Sequence, residues 1–203
     1  MQLLASLTSP FVRQVRLVTA IKGLSDRVSL RLVDTNPPGN AELMAENPLG
    51  KIPVLVLDDG TRLFDSRVIA EYLDGLAAGP RLFPTDASAR CRMLTRVALA
   101  DGIKDAAVLV FYESRLRPEA ARSNDWVARQ QAKIDTALAY LDANLDDGQA
   151  TPDYADVSLA AALGYLDFRQ EGRWRATHPR LVAWLDRFAA AVPAFAETAP
   201  PPA

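Results

Sequence analysis

The chain has 203 residues, of which 49% are hydrophobic and 24% charged, and its formal net charge is −2 at pH 7. This is the composition of a globular protein with one large domain or two small ones. Its scattered Lys and Arg residues form no basic stripe for nucleic acid. No apolar run approaches the roughly 20 residues of a membrane helix, and residues 1–7 lack the flanks of a signal peptide. We therefore expect a soluble, cytoplasmic protein.

The first part of the chain mixes short strands with short helices. Pro10 fits the first turn of a helix, where Ser9 can act as the cap. The strands before and after this helix are predicted to be parallel, because a helix connects them. A hairpin and another helix follow, so the predicted order is βαβ, a loop, then ββα. The predicted elements are strands at 3–6 and 28–32, a helix starting at 10, hairpin strands at 54–57 and 62–64, and a helix starting at 66.

The second part, from about Thr85, predicts helices only. Alanine is abundant there, and apolar residues recur at helical spacing. A short segment bounded by prolines separates the two parts. The sequence therefore predicts an α/β domain over 1–77, a linker over 78–84 and an all-helical domain over 85–203.

Four segments resemble the signature motifs of the glutathione transferases, in the same order and at the same spacing. The resemblance implies a thioredoxin-like N-terminal domain followed by an all-α domain. It also implies a homodimer in which the first domain of each subunit packs against the second domain of its partner. The segments are Ser9-Pro10-Phe11-Val12-Arg13, Asn47-Pro48-Leu49-Gly50-Lys51-Ile52-Pro53-Val54-Leu55, Phe64-Asp65-Ser66 with Ile69 and Tyr72-Leu73, and Asp153-Tyr154-Ala155-Asp156.

The first motif implies that Ser9 activates the thiol of glutathione. A cysteine-like thiol has a pKa of about 8.5, whereas conjugation needs the thiolate. Lowering that pKa by about two units takes roughly 2.7 kcal/mol of preferential thiolate stabilisation. A hydroxyl donor at a helix N-terminus can supply it, with no covalent step. The alternatives are that Ser9 is only a helix cap, or that Thr8 or Ser6 binds the thiolate.

The second motif implies a backbone contact with the tripeptide. Pro53 interrupts a strand-like segment, and the family's proline at this position is cis. We expect the cis bond to turn the backbone of Val54 outward, so that its N–H and C=O pair with the cysteinyl part of glutathione like an added strand. The alternative is a trans proline that starts a strand.

The third motif places Asp65 and Ser66 at a helix start, which is both a capping position and an anion site. We expect Ser66 to bind the γ-glutamyl carboxylate, Asp65 the neighbouring ammonium group, and Lys51 the glycyl carboxylate. The predicted glutathione-binding residues are therefore Lys51, Ile52, Val54, Asp65 and Ser66.

The fourth motif predicts a structural role for Asp153 and Asp156, because Asp caps helices about as well as the family's usual Ser or Thr. Pro53 is likewise assigned a structural role. The pocket for the second substrate is expected between the domains, and its candidate residues are Phe11, Phe111, Tyr112 and Arg115.

Other chemistries fit the sequence less well. Cys91 is the only cysteine, which excludes a CxxC redox pair, and we expect it to be a buried structural thiol. His178 is the only histidine and has no partner for a metal site, so no metal is expected. A serine hydrolase would need a nucleophile elbow, and G-x-S-x-G is absent.

The predicted function is that of a glutathione transferase, of the kind used in detoxification. It would activate glutathione, as a co-substrate, for attack on a small electrophile or hydrophobic substrate. The alternatives are a non-catalytic interaction or regulatory protein of the same fold, and a glutathione-dependent peroxidase or isomerase.

Overall fold

The structure, a computed structural model, describes residues 1–35, 40–145 and 151–202. The strands are β1 (Gln2–Ala5), β2 (Ser29–Leu32), β3 (Val54–Val56) and β4 (Arg62–Phe64). The helices are α1 (Pro10–Ile21), α2 (Ala41–Glu46), α3 (Ser66–Leu76), α4 (Ala87–Leu116), α5 (Asn124–Asn144), α6 (Tyr154–Gln170), α7 (Pro179–Ala191) and α8 (Ala194–Glu197). Short 3-10 turns occur at Ser25–Arg27, Glu119–Ala121 and Arg173–Ala176.

The chain divides into two compact units. The first contains Met1–Pro84 together with Val192–Ala203, and the second contains Thr85–Ala191. Strands and helices are mixed in the first unit, and in the described part of the second unit all regular structure is helical. The predicted fold class is therefore confirmed.

The sheet of the first unit has the order β2-β1-β3-β4. β1 and β2 are parallel, as the intervening α1 requires, while β1–β3 and β3–β4 are antiparallel. This is the predicted βαβ–ββα order. Because β1 and β3 are interior strands, their side chains form the core of the unit, with Leu3, Leu4 and Leu55 completely buried.

The last helix of the chain packs on the first unit. Arg13 of α1 is buried, donates from Nη2 to the Phe195 carbonyl at 2.8 Å, and lies over the Phe195 ring. Arg16 donates to the carbonyl of Thr198 at 3.2 Å. The sequence prediction grouped these residues with the helical domain, because the order of the elements along the chain does not indicate that α8 returns to α1.

The helical unit is organised around α6. All residues of α6 from Tyr154 to Leu166 are buried, and α4 and α5 pack along each other. A helix that is apolar on every side is expected at the centre of a bundle. The surrounding helices supply the solvent-exposed faces.

Cys91 is exposed on α4, so the expectation of a buried thiol is wrong. Its place in an amphipathic stretch of the helical half favoured burial, but Cys91 lies in the second turn of α4, on its solvent side. No described helix is long and apolar enough to cross a membrane. Among the described residues, no cluster of His, Cys, Asp or Glu side chains could hold a metal ion.

Candidate functional site

Ser9 lies at the N-terminus of α1 with its hydroxyl available as a donor. Its Oγ accepts a hydrogen bond from the Val12 N–H at 3.3 Å, and Pro10 occupies the first helical position. A serine hydroxyl has one donor and two acceptor lone pairs. The cap uses one acceptor and leaves the O–H proton free to bind an anion. Capping and thiolate binding are therefore compatible at Ser9.

The other two hydroxyls near this corner contact each other. Oγ of Ser6 and Oγ1 of Thr8 are 3.1 Å apart, and either can be the donor. The backbone N–H of Ser9 also donates to the Ser6 carbonyl at 3.1 Å. These bonds hold the turn between β1 and α1. The hydroxyl that donates in the Ser6–Thr8 pair uses its proton, whereas the other keeps its proton.

Asn47 organises the loop before β3, a role that the sequence analysis did not assign. Its side chain donates from Nδ2 to the Lys51 carbonyl at 2.8 Å and accepts from the Leu49 N–H at 3.0 Å. The Asn47 side chain is buried, whereas Lys51 is exposed. The only available signal was the Asn itself, since a buried Asn commonly bonds to nearby loop backbone. The position of Lys51 thus depends on Asn47.

The bond between Ile52 and Pro53 is cis, as expected. The expected ligand contact of Val54, however, is not compatible with the sheet. Val54 is in register with Leu4 on one side and Phe64 on the other, because β3 is an interior strand. An extended peptide can pair only with a free strand edge.

The backbone of Ile52 is better placed for a ligand. Ile52 precedes β3 and lies outside the strand pairing. Among the described residues, neither its N–H nor its C=O has a hydrogen-bond partner. These two groups remain available to an extended peptide.

Asp65 and Ser66 form the start of α3 in an unusual backbone conformation. Asp65 is a non-glycine residue with φ 69° and ψ 129°, and its carboxylate accepts from the Arg67 N–H at 2.9 Å. Such a conformation costs on the order of 1–3 kcal/mol and is concentrated at functional sites. Asp65 is exposed, and its carboxylate can also meet a ligand.

Ser66 is buried, and its Oγ accepts a hydrogen bond from Nε2 of Gln14 at 3.1 Å. The Ser66 N–H is in the first turn of α3, where no intrahelical acceptor exists, and it has no acceptor elsewhere in the described residues. The Gln14 contact was missed from the sequence, since it joins residues far apart in the chain. It places the start of α3 beside α1.

Asp153 and Asp156 form a capping box at the start of α6. The Asp156 N–H donates to Asp153 at 3.1 Å, and the Asp153 N–H donates to Asp156 at 2.9 Å. Arg96 of α4 donates to both carboxylates. Burial, with the nearby charge of Asp153, raises the pKa of Asp156 to about 6, and Arg96 only partly opposes this. Two carboxylates share one guanidinium, so the cluster carries excess negative charge.

The residues predicted for the second substrate are distributed over both units. Phe11 is half-buried in the first turn of α1. On α4, Phe111 is half-buried, Tyr112 and Arg115 are exposed, and the Phe111 and Tyr112 rings are 5.8 Å apart. The guanidinium of Arg169, a residue that the sequence analysis did not select, lies 3.9 Å from the Phe111 ring. A groove of about 770 Å³ elsewhere in the helical unit includes none of the predicted residues and is lined in part by Leu99, Tyr140 and Trp184.

Comparison with known proteins places this geometry in a family. The model of the glutathione S-transferase N-terminal domain matches residues 8–76, and that of the C-terminal domain matches residues 124–187. The chain belongs to the glutathione S-transferase family. One relative is the uncharacterized GST-like protein YibF of Escherichia coli K12. It is 38% identical to this chain over 207 residues, and the alignment covers all of both chains.

Solved structures similar to this glutathione S-transferase family member contain ligands. A family member from Pseudomonas fluorescens Pf-5, with bound glutathione, has a TM-score of 0.93 and 45% identity over 98% of each chain. A structure from the same organism, with bound S-(propanoic acid)-glutathione, has a TM-score of 0.89 and 44% identity, over 99% of this chain and 100% of that one.

Proposed function

We propose that the protein is a glutathione transferase that activates the thiol of glutathione for attack on a small electrophile. The observation that carries this proposal is the hydrogen bond between Gln14 and Ser66. It brings the N-terminus of α3 beside α1, the helix that Ser9 caps. One ligand can then meet the N-termini of both α1 and α3, and helix N-termini favour anions.

Ser9 acts as the hydrogen-bond donor to the thiolate. Its O–H is not used by the cap, and a charge-assisted hydrogen bond contributes about 1.5–3 kcal/mol. That is about one to two units in the pKa of the bound thiol. The thiol proton leaves to solvent. The sulfur then forms a bond to the electrophilic carbon, and either a leaving group departs from that carbon with the bonding electrons, or a π bond opens and the resulting anion takes a proton from solvent.

The start of α3 holds the γ-glutamyl end. The Ser66 N–H has no acceptor within the described chain, and the Ser66 hydroxyl keeps its proton because its oxygen accepts from Gln14. Both donors suit a carboxylate. The exposed carboxylate of Asp65 suits the adjacent ammonium group.

The loop held by Asn47 binds the rest of the tripeptide. The unpaired N–H and C=O of Ile52 pair with the cysteinyl backbone, in place of Val54. Lys51, whose carbonyl is fixed by Asn47, neutralises the glycyl carboxylate. Structural roles, with no contact to the ligand, are assigned to Asp153, Asp156 and Pro53.

The second substrate contacts aromatic residues, for which Phe11, Phe111, Tyr112 and Arg115 remain the proposed group. A related structure contains a glutathione S-conjugate, S-(propanoic acid)-glutathione. A conjugate bound in a related protein supports a reaction that transfers glutathione to an electrophile. The proposed biological role is the removal of reactive electrophiles.

The test is calorimetric titration with glutathione, followed by an assay of thiol loss with a panel of electrophiles. We expect binding at or below millimolar glutathione and turnover of at least one electrophile. Absence of binding at millimolar glutathione would refute the enzyme assignment. Binding without turnover would favour the alternative, a binding or regulatory protein of the same fold, and reduction of a hydroperoxide instead of conjugation would indicate a peroxidase.

We also propose that the protein is a homodimer. Several large apolar side chains are exposed in the single chain, including Leu32, Leu49 and Tyr140 at 63%, 67% and 59%. The resemblance to the glutathione transferases implies this dimer; apolar residues exposed singly are ordinary, whereas a contiguous apolar patch marks an interface. Sedimentation velocity should give a mass near twice 22.1 kDa, and a monomer at micromolar concentration would contradict the proposal.

A further inference from the structure

Arg169 on α6 carries a positive charge that lies against aromatic rings. Its Cζ atom is 3.9 Å from the centroid of the Phe111 ring and 4.1 Å from that of the Phe168 ring. Ring faces attract a guanidinium, which is also weakly hydrated. A ring face is no substitute for the oxygen acceptors that strong N–H donors require. The ring contacts therefore hold the side chain without satisfying its hydrogen bonds.

No carboxylate within the described residues pairs with Arg169. Its Nε is buried and has no hydrogen-bond partner there. The acids nearest in sequence are engaged elsewhere, since Asp167 accepts from Arg175 and Glu171 lies 3.9 Å from Arg173. Buried donors without an acceptor are rare in folded proteins. The Arg169 side chain as a whole is only half-buried, so an acceptor from outside the chain can approach the rest of the guanidinium.

Tyr165 supplies a second donor beside this guanidinium. Arg169 lies close enough to the Tyr165 oxygen for its charge to oppose the effect of burial on the pKa of the phenol. Burial raises the pKa of Tyr165 despite the opposing charge of Arg169, so the phenol stays protonated at neutral pH. The protonated phenol has an O–H that can be donated to a ligand beside the guanidinium. A cation and a neutral hydroxyl together suit an oxyanion.

The site is open to solvent through its aromatic neighbours. Phe111 is only half-buried, and the adjacent Tyr112 is 41% exposed. These are two of the residues assigned to the second substrate. A small molecule that lies on these rings would have its polar end near Arg169. The exposed Arg115 has no such ring contact among the described residues.

We propose that Arg169 is the anion-recognition residue of the second-substrate pocket, and that the electrophile carries a carboxylate. This inference rests on the proposed function. Arg169 and Tyr165 donate to the carboxylate, while Phe111 and Tyr112 contact the apolar part of the molecule. The carboxylate is used for binding and does not react, since the new bond forms between the glutathione sulfur and an electrophilic carbon elsewhere in the substrate.

The test compares two probes of the same shape, 4-chloro-3-nitrobenzoate with an anionic carboxylate and 4-chloro-3-nitrobenzamide with a neutral carboxamide at that position. In each, the thiolate sulfur bonds to the carbon bearing chlorine, and chloride leaves with the bonding electrons. Rates are divided by the uncatalysed rates with glutathione. We expect the wild type to prefer the benzoate by about tenfold or more, the scale of a hydrogen bond to a charged group.

Arg169→Met should abolish that preference, and Arg169→Lys should keep part of it, because the charge remains but the fork of donors is lost. Tyr165→Phe should reduce the preference several-fold. The matched control is Arg173→Met, which removes an exposed arginine four residues away and should leave the preference intact. If Arg169→Met does not fold, the Arg169→Lys and Tyr165→Phe results decide the matter.

A binding measurement without glutathione separates this inference from the proposed function. Calorimetry should show tighter binding of the benzoate than of the benzamide, and Arg169→Met or Arg169→Lys should weaken it. That result without any turnover supports the anion site and contradicts the transferase assignment. Equal binding and equal turnover of the two probes by the wild type overturns the inference while leaving the transferase assignment in place.

Discussion

Gln14 donates a hydrogen bond from Nε2 to the Ser66 hydroxyl at 3.1 Å, and both side chains are buried. The bond joins the second turn of α1 to the first residue of α3. Because the Ser66 oxygen accepts from Gln14, the hydroxyl proton is directed away from α1. Gln14 therefore acts as a positioning residue for the proposed γ-glutamyl site.

Replacing Gln14 by Met should weaken glutathione binding by about three- to tenfold, because the Ser66 hydroxyl loses the donor that orients it. The lost buried hydrogen bond should also lower the free energy of unfolding by about 1 kcal/mol. Calorimetry and urea unfolding measure the two effects. If Gln14 acts through Ser66, the Gln14→Met/Ser66→Ala double variant binds no more weakly than Ser66→Ala alone. Additive losses would contradict that coupling.

Ser9 variants separate capping from thiolate stabilisation. Ser9→Ala removes both the cap and the donor, whereas Gly caps nearly as well as Ser but has no hydroxyl. We expect both variants to bind glutathione, to raise the pKa of its bound thiol by about one to two units, and to lose turnover at neutral pH equally. Only Ser9→Ala should lose about 1 kcal/mol of stability.

The pKa of the bound thiol is measured from the pH dependence of turnover and of the thiolate absorbance. Unchanged turnover in Ser9→Gly would transfer the role to Thr8, Ser6 or a backbone N–H.

The contribution of Asp156 to the free energy of unfolding should fall as the pH rises from about 4 to 7. The pKa of this carboxyl is about 6 in the folded state and has the ordinary value of 3.8 when exposed. Between these values the folded chain binds more protons than the unfolded chain, so the free energy of unfolding falls with pH. The full effect of this group is on the order of 3 kcal/mol.

Asp156→Asn is the reference for this effect, because the amide does not titrate. Urea unfolding across this pH range should show the advantage of the wild type over Asp156→Asn shrinking as the pH rises. An advantage that grows with pH would mean that Arg96 outweighs burial and the charge of Asp153.

Lys104 should be strongly coupled to Asp101. Lys104 is completely buried, its Nζ lies 2.8 Å from Oδ1 of Asp101, and both contact Ser158 at 3.0 Å. Lys104→Met removes one partner of this buried ion pair and should cost about 3–5 kcal/mol. The Lys104→Met/Asp101→Leu double variant removes both charges and should recover most of that loss in urea unfolding. A double variant as unstable as Lys104→Met alone would contradict the predicted coupling between Lys104 and Asp101.

The order of elements in the first unit could be predicted from the sequence because its signals are local. Ser9 and Pro10 mark a helix start, alternation marks the strands, and the Asp58-Asp59-Gly60 turn marks the hairpin. The burial of individual side chains was less predictable. Cys91 was expected to be buried but is exposed.

The sequence by itself determined the family, the two-part organisation and the residue types at both helix starts, because these depend on neighbours a few positions apart. Only the tertiary structure decided that Val54 is enclosed by sheet partners, that α8 returns to α1, and that Arg169 stacks on Phe111. Each of these contacts joins residues separated by many positions along the chain. Such contacts depend on how the helices and strands pack, and a local sequence pattern does not indicate which distant residues will meet.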